Sequence, residues 1–297
     1  MKKHVAAGAF AVVLMAIAGS PWGGQQPPQP QPVTVQALQG GLYMLKGGSG
    51  ANGGFCVYDK GVVVIDAKMT ADATRQSVAE IAKITPLPIT HILITHSDLD
   101  HVNGLNGYPP GLTIIAHAQT KKDMEEAFQK DDALKPLLAY LPTRTFTDNF
   151  DLKGLAREIR LIHFGPAHTS GDIVVYFPVQ KTAFVGDLAF IGRDPLVHKQ
   201  KGGSFAGLVK TLKGLEGLDA ETFVAGHNDP LTKADIATLR KGLEEKEAKV
   251  REMIAAGKSL DDIQAAFGIA APAAGAQPAR RWPNIVEIIY QELTVKK

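Results

Sequence analysis

The chain holds one cysteine, Cys56, in 297 residues. An intramolecular disulfide is therefore excluded. Cys56 sits in the apolar, strand-like run Gly54-Phe55-Cys56-Val57-Tyr58, the setting of a small buried hydrophobe rather than of a nucleophile or a ligand. An excess of one charge is also missing. Against 32 Lys and Arg stand 30 Asp and Glu, the two signs alternate along Leu239–Arg251, and no long basic run occurs, so nucleic acid is not an expected partner. Nor is there an apolar run long enough to span a bilayer, which takes about 20 residues. The nearest, Val5–Ala18, has 14.

That short run reads as a secretory signal. Lys2 and Lys3 precede it, and Ala16-Ile17-Ala18 places small residues where cleavage before Gly19 needs them. The rival is an uncleaved N-terminal anchor. Residues 1–18 are thus expected to be a signal peptide, residues 19–32 a Pro/Gln/Gly-rich linker, and residues 33–297 one domain with a C-terminal helical extension. The mature protein is expected to be periplasmic or secreted and to make no membrane contact.

Composition is ordinary for a folded domain, with 45% hydrophobic and 21% charged residues. Short β-rich runs at Val33–Leu38 and Gly41–Lys46 lead to a hairpin at Gly54–Ile65. A helix is predicted at Ala71–Ile84, ended by Pro86 and Pro88. Strands follow at His91–Thr95, Leu112–Ala116, Ile159–His163, Ile173–Phe177, Thr182–Val185 and Thr222–Val224. Helices are predicted at Gln119–Gln129, Ser204–Leu215, Lys233–Ala256, Leu260–Phe267 and Pro283–Leu293. Residues 130–150 read as irregular, lying over or beside the site. Strands interleaved with helices make this an α/β layered fold.

The chemistry concentrates in four loops, each directly after an apolar strand. The first is His96-Ser97-Asp98-Leu99-Asp100-His101, with four potential metal ligands within six residues. Carboxylates so crowded repel one another unless a cation neutralises them, and imidazole with carboxylate suits zinc, iron or manganese. The others are Gly165-Pro166-Ala167-His168-Thr169-Ser170-Gly171-Asp172, Val185-Gly186-Asp187 and Ala225-Gly226-His227. Glycine there lets the chain turn sharply beside an ion.

Taken in order, these motifs resemble the metallo-β-lactamase superfamily, over about residues 35–230. The resemblance implies an αββα four-layer sandwich with two divalent metal ions in a cleft at one edge, zinc in the first instance, with manganese or iron as alternatives. It assigns one ion to His96, Asp98 and His168 and the other to Asp100, His101 and His227, with Asp187 bridging. Asp100 and His101 would be catalytic: a metal-bound hydroxide attacks an ester, lactone, β-lactam or related bond of a small molecule while Asp100 orients the nucleophile.

One position departs from the family pattern, which has His where this chain has Asp98. Aspartate can ligate zinc, but three carboxylates and a bridging hydroxide would cancel the charge of two divalent ions, and a neutral centre polarises a carbonyl less. The other possibility is that Asp98 turns away. Iron-dependent redox chemistry on the same scaffold, and an exported binding protein that no longer turns over, are the rival functions. Among the remaining candidates, His91, His117 and His163 read as strand-end histidines, with His117 at the cleft rim as an alternative. Arg193, His198, Lys199 and Lys201 read as a solvated loop, or as contacts to a substrate anion. Thr169 and Asp172 are expected to brace the His168 loop. Trp282 and Tyr290 are expected to pack.

Overall fold

The computed structural model describes residues 31–155, 158–270 and 282–295. The predicted signal peptide and nearly all of the predicted linker lie outside these. Two sheets carry the fold. In the first, β1 (Thr34–Ala37), β2 (Leu42–Lys46), β3 (Gly53–Tyr58) and β4 (Gly61–Ile65) form an antiparallel meander. Strands β5 (Ile89–Leu93), β6 (Thr113–His117) and β7 (Arg144–Phe146) then add in parallel. The second sheet contains β8 (Phe150–Leu152), β9 (Ile159–Ile162), β10 (Val174–Phe177) and β11 (Thr182–Gly186), paired antiparallel. There β12 (Thr222–Ala225) lies parallel to β11, and β13 (Leu231–Thr232) closes the edge.

Alternation along the strands explains the layering. In β4, Val63 and Ile65 join a core that also takes Val175, Phe177 and Phe184 from the second sheet. Val62 and Val64 face the other way, into a core with Ile81, Met124 and Phe128. Ile81 belongs to helix α1 (Ala71–Ile84), and Met124 and Phe128 to α3 (Ala118–Lys130), the short α2 (Leu99–Val102) lying between them in sequence. The outer face of the second sheet is covered by α4 (Phe205–Gly217) and α5 (Lys233–Ala255), with α6 (Leu260–Ala266) and α7 (Ile285–Thr294) joining the same core. Helix, sheet, sheet, helix is the four-layer sandwich expected. Cys56 is buried between the sheets.

The local rules match the helices closely. Thr70, Ser204, Thr232, Ser259 and Asn284 each cap a helix through a side-chain oxygen, and the predicted helix at Ala71–Ile84 has those bounds. Residues 130–150 differ from expectation. They are not an irregular cover: they supply β7 and lead into β8 at Phe150, one edge strand to each sheet, and Leu137 packs into the first sheet's outer core. Among the described residues no helix is long and apolar enough to cross a membrane.

A buried lysine fastens the loop that borders the site. Lys68 is 2% exposed, and its Nζ donates to the carbonyls of Leu45, Gly47 and Ala51 at 3.1, 3.0 and 2.7 Å. Burial pulls its pKa down to about 8, against the opposing charge of Asp66. Lys68→Met should strip a cation from three carbonyls at once and lower stability by about 3 kcal/mol, read as a fall in Tm with unchanged far-UV dichroism. An unshifted Tm would show that water replaces the ammonium.

Candidate metal centre

Strand direction explains why the polar loops meet. In each sheet one pair of adjacent parallel strands, β4 with β5 and β11 with β12, ends at the same edge of the sandwich. Asp66 follows β4, His96 follows β5, Asp187 follows β11 and Gly226-His227 follow β12. Backbone hydrogen bonds lace these ends together: Ala67 N–H to His101 O at 2.7 Å, Gly226 N–H to Gly186 O at 2.8 Å, and Asn52 N–H to Gly226 O at 2.6 Å. Gly226 is demanded by space, because a Cβ there would lie 2.2 Å from Asp187 Oδ1 and 2.9 Å from the His101 ring.

The predicted ligands converge into two sets. Donor atoms of His96, Asp98, His168 and Asp187 lie within 4.8 Å of one another, and so do those of Asp100, His101 and His227. Asp187 touches the second set as well, its carboxylate oxygens lying 3.2 Å from His101 Nε2 and 3.3 Å from His227 Nε2. Asp100 Oδ2 lies 3.1 Å from His227 Nε2. Helix α2 explains how one short segment serves both sets: Asp98 is its N-cap, so the chain turns between Asp98 and Asp100.

On each of these buried imidazoles Nδ1 is committed to a partner away from the carboxylate cluster. His168 Nδ1 donates to Leu196 O at 2.8 Å. His101 Nδ1 donates to Asp66 Oδ2 at 2.8 Å. Thr95 Oγ1 gives its proton to Asp66 Oδ2 and so accepts from His96 Nδ1 at 3.1 Å. In all three rings Nε2 is the atom that faces the carboxylates, so it is the nitrogen that would offer a lone pair to a cation once deprotonated. His96 Nε2 is buried without a hydrogen-bond partner. An orphaned lone pair among carboxylates fits a divalent cation: His96, Asp98, His168 and Asp187 would hold one, and Asp100, His101, His227 and Asp187 another.

Asp66 is the residue that sequence reasoning missed. It also accepts from Thr95 N–H at 2.7 Å and adopts φ +58°, a left-handed conformation uncommon for a residue other than glycine. Its only signal in the sequence is an acid closing the apolar run Val62-Val63-Val64-Ile65. Two residues assigned to a solvated loop are likewise at the site. Lys201 Nζ lies 2.7 Å from Asp98 Oδ1, and His198 Nε2 lies 3.1 Å from Asp98 Oδ2. Asp98 therefore points inward, with Oδ2 towards the histidines, and it brings a counter-cation. The bare charge count that makes the centre neutral is corrected by Lys201, which returns the positive charge that an aspartate in place of histidine removes.

The other candidates fall outside. His163 and His117 stack at 4.2 Å, with His163 Nδ1 donating to Asp172 O and His117 Nε2 to Thr147 O. His91 Nδ1 lies 2.8 Å from Thr90 Oγ1. Asp172 braces the His168 loop as expected, accepting from Thr169 N–H at 2.8 Å and Thr169 Oγ1 at 2.6 Å. Lys199 is paired with Glu292. Arg193 lies 4.3 Å above the Phe190 ring, which stacks on His227 at 5.5 Å. Trp282 does not bury itself; it is 48% exposed with its ring 4.2 Å from that of His198.

Electrostatics follow from this crowding. Burial first, then the charges of His101 and His168, drive His96 well below its usual pKa against the pull of Asp98 and Asp187. For His168 burial opposes protonation, but the Asp98 hydrogen bond and the Asp172 charge win and raise the pKa to about 9. Hydrogen bonds that His227 donates to the Asp100 and Asp187 carboxylates raise its pKa to about 9. Burial also opposes protonation of His101, yet Asp187 and Asp66 hold it well above the ordinary value. With pKa values of about 9, His168 and His227 carry protons at pH 7 in the metal-free protein, and a cation must displace them. Metal loading at pH 7 should therefore release protons, and apparent affinity should climb with pH until about 9. Calorimetry in buffers of different ionisation enthalpy reads both; affinity independent of pH between 6 and 9 would contradict the assignment.

Comparison with known proteins comes to the same place. A family profile described as Metallo-beta-lactamase superfamily matches residues 47–227. The 2,4-dinitroanisole O-demethylase subunit alpha of Nocardioides sp. (strain JS1661) is 27% identical over 172 residues, 57% of this chain and 50% of that protein. The metallo-beta-lactamase type 2 of Elizabethkingia meningoseptica is 27% identical over 197 residues, 61% of this chain and 74% of that protein. This chain thus spans half of one curated relative and three quarters of the other. Among solved structures, a metallo-beta-lactamase from Pontibacter korlensis superposes with a TM-score of 0.60 at 17% identity, covering 71% of this chain and 99% of that one.

Proposed function

The chain belongs to the metallo-beta-lactamase superfamily, matched over residues 47–227, and on that premise we propose that it hydrolyses an ester, lactone, β-lactam or related bond of a small molecule with the help of two divalent metal ions. The observation that carries the reading is the meeting of seven imidazole and carboxylate side chains from four loops in two adjoining sets, joined by Asp187. At superfamily level the assignment is a metal-dependent hydrolase. The printed names of the two relatives, an O-demethylase and a β-lactamase, concern different bonds, so the bond is left to experiment.

Bound ions supply Lewis acidity and make a coordinated water more acidic. The protein's own groups do the rest. Asp100 is kept ionised: burial opposes this, but the His227 hydrogen bond and the His101 charge hold its pKa below the usual carboxylate range. Asp100 can therefore accept a proton from the attacking water and orient it. Asp66 and Leu196 O fix the tautomers of His101 and His168. Phe190 and Arg193 border the cleft on the His227 side. Lys199 and Lys201 are committed to Glu292 and Asp98, which leaves Arg193 as the loop's cation for a substrate anion.

The test is metal content as isolated, followed by turnover of esters, lactones and β-lactams after loading with zinc, manganese or iron. Hydrolysis that tracks metal content is the expected result. Stoichiometric iron with a visible absorption band and no hydrolysis would replace this reading with redox chemistry. Full metal loading with silence on every substrate would favour a binding protein.

A further inference from the structure

His198 has the marks of a ligand, although the family pattern gives it no role. It is 5% exposed, and neither ring nitrogen has a hydrogen-bond partner. Its Nε2 nevertheless lies 3.1 Å from Asp98 Oδ2. At that distance a well-aimed N–H would form a hydrogen bond, as between His168 Nε2 and the same oxygen, also at 3.1 Å. The His198 contact is as short but does not meet the geometry of a hydrogen bond. Two donor atoms about 3 Å apart, each about 2.1 Å from a common point, are the normal edge of a metal coordination shell. Among the described residues, the imidazole Nε2 atoms left buried and unpartnered are those of His96 and His198, and both border Asp98: the His96 Nε2 distance is 3.9 Å.

We propose that His198 and Asp98 together replace the single histidine that this chain lacks, so that the first ion is held by His96, His168, His198 and Asp98, with Lys201 as the counter-charge of Asp98. The inference rests on the metal-dependent reading above and deepens it. The scaffold for such a role is present. His198 N–H donates to His168 O at 2.7 Å, Ser170 N–H to Lys201 O at 2.9 Å, and Ser204 N–H to Ala167 O at 2.9 Å. These bonds bind the 198–204 turn to the 167–170 loop, so His198 and His168 are placed as a unit. Trp282 packs at 4.2 Å from the His198 ring and restricts its swing. Lys201 Nζ also donates to Ser97 O and Ser97 Oγ, both at 3.1 Å, so it is anchored on the segment that carries Asp98.

The experiment loads the full chain with Co(II) and compares wild type with His198→Gln and His198→Ala. It reads metal stoichiometry, the affinity of each site, the d–d absorption, and the hyperfine-shifted imidazole N–H resonances. The expected result is two equivalents in wild type and at least about tenfold weaker binding of one of them in both variants. The d–d band of that site should change, and one shifted resonance should vanish while the rest stay. Thermal unfolding of the metal-free variants controls for folding, and the wild-type resonance count needs no variant. Unchanged affinity and spectrum in folded variants would overturn the role of His198 alone. A wild type that binds no divalent ion would overturn the functional reading with it. Recovery of wild-type affinity and spectrum in His198→Gln but not in His198→Ala would show His198 to be a hydrogen-bonding support of Asp98 and would also overturn the proposal.

Discussion

Asp187→Ala should lower kcat/KM at least about a thousandfold, roughly 4 kcal/mol of transition-state stabilisation, and the purified protein should lose metal. Asp187 reaches both sets. Asp187 lies in the group with His96, Asp98 and His168 and at 3.2 and 3.3 Å from His101 and His227. It is 6% exposed, so no solvent stands ready to take its place. Its own pKa is held well below the carboxylate range: burial works against the charge, and the His101 charge and hydrogen bonds from His101 and His227 overcome it. Removing it takes away a negative charge that would face both sets, so two divalent cations would be less well neutralised in a buried space. Asp187→Asn separates the two effects, since it keeps the shape and removes the charge. Metal analysis beside kinetics decides the matter, and a variant that retains two equivalents and full turnover would remove Asp187 from the centre.

Asp66→Asn should weaken the second ion by about 10- to 100-fold while barely disturbing the fold. Asparagine tolerates positive φ nearly as well as aspartate, so the backbone at +58° should persist. The chemistry changes instead. Asp66 accepts Thr95 N–H on Oδ1, and Thr95 Oγ1 and His101 Nδ1 on Oδ2. In asparagine one of those positions becomes an NH2 donor. If it faces His101, the imidazole must turn over its tautomer, placing the proton on Nε2 and removing the lone pair that would hold metal. A nitrogen-15 spectrum of the His101 ring reads the tautomer directly, and metal titration reads the consequence. An unaltered tautomer with unaltered affinity would show that Thr95 alone receives the amide.

The predicted ligands stood out as candidates because each stands in a loop just after an apolar strand, and the strand itself is announced by β-branched residues in short runs. The resemblance to the family then assigned His96, Asp100, His101, His168, Asp187 and His227 to the two ions. The three residues that complete the picture lacked such a signal. Asp66 is one acid at the end of Gly61–Ile65, with no neighbour to distinguish it from a turn. His198 and Lys201 lie in a segment of mixed polar residues, and their role depends on how that turn is bonded to residues 167–170. The segment 130–150 misled for a different reason. Its strands Arg144–Phe146 and Phe150–Leu152 are three residues long, too short for a period to show.

Alternating apolar residues and helix caps act over a few positions, so the chain alone determined its layers, the ends of its helices, and the carboxylates and imidazoles that gather at one edge. Tautomers, charge balance and the orientation of Asp98 depend on partners far away in the chain: Asp66 to His101 spans 35 residues and Asp98 to Lys201 spans 103. Only the folded arrangement could decide those, because hydrogen bonds and ion pairs are set by separation in space, which local sequence does not encode.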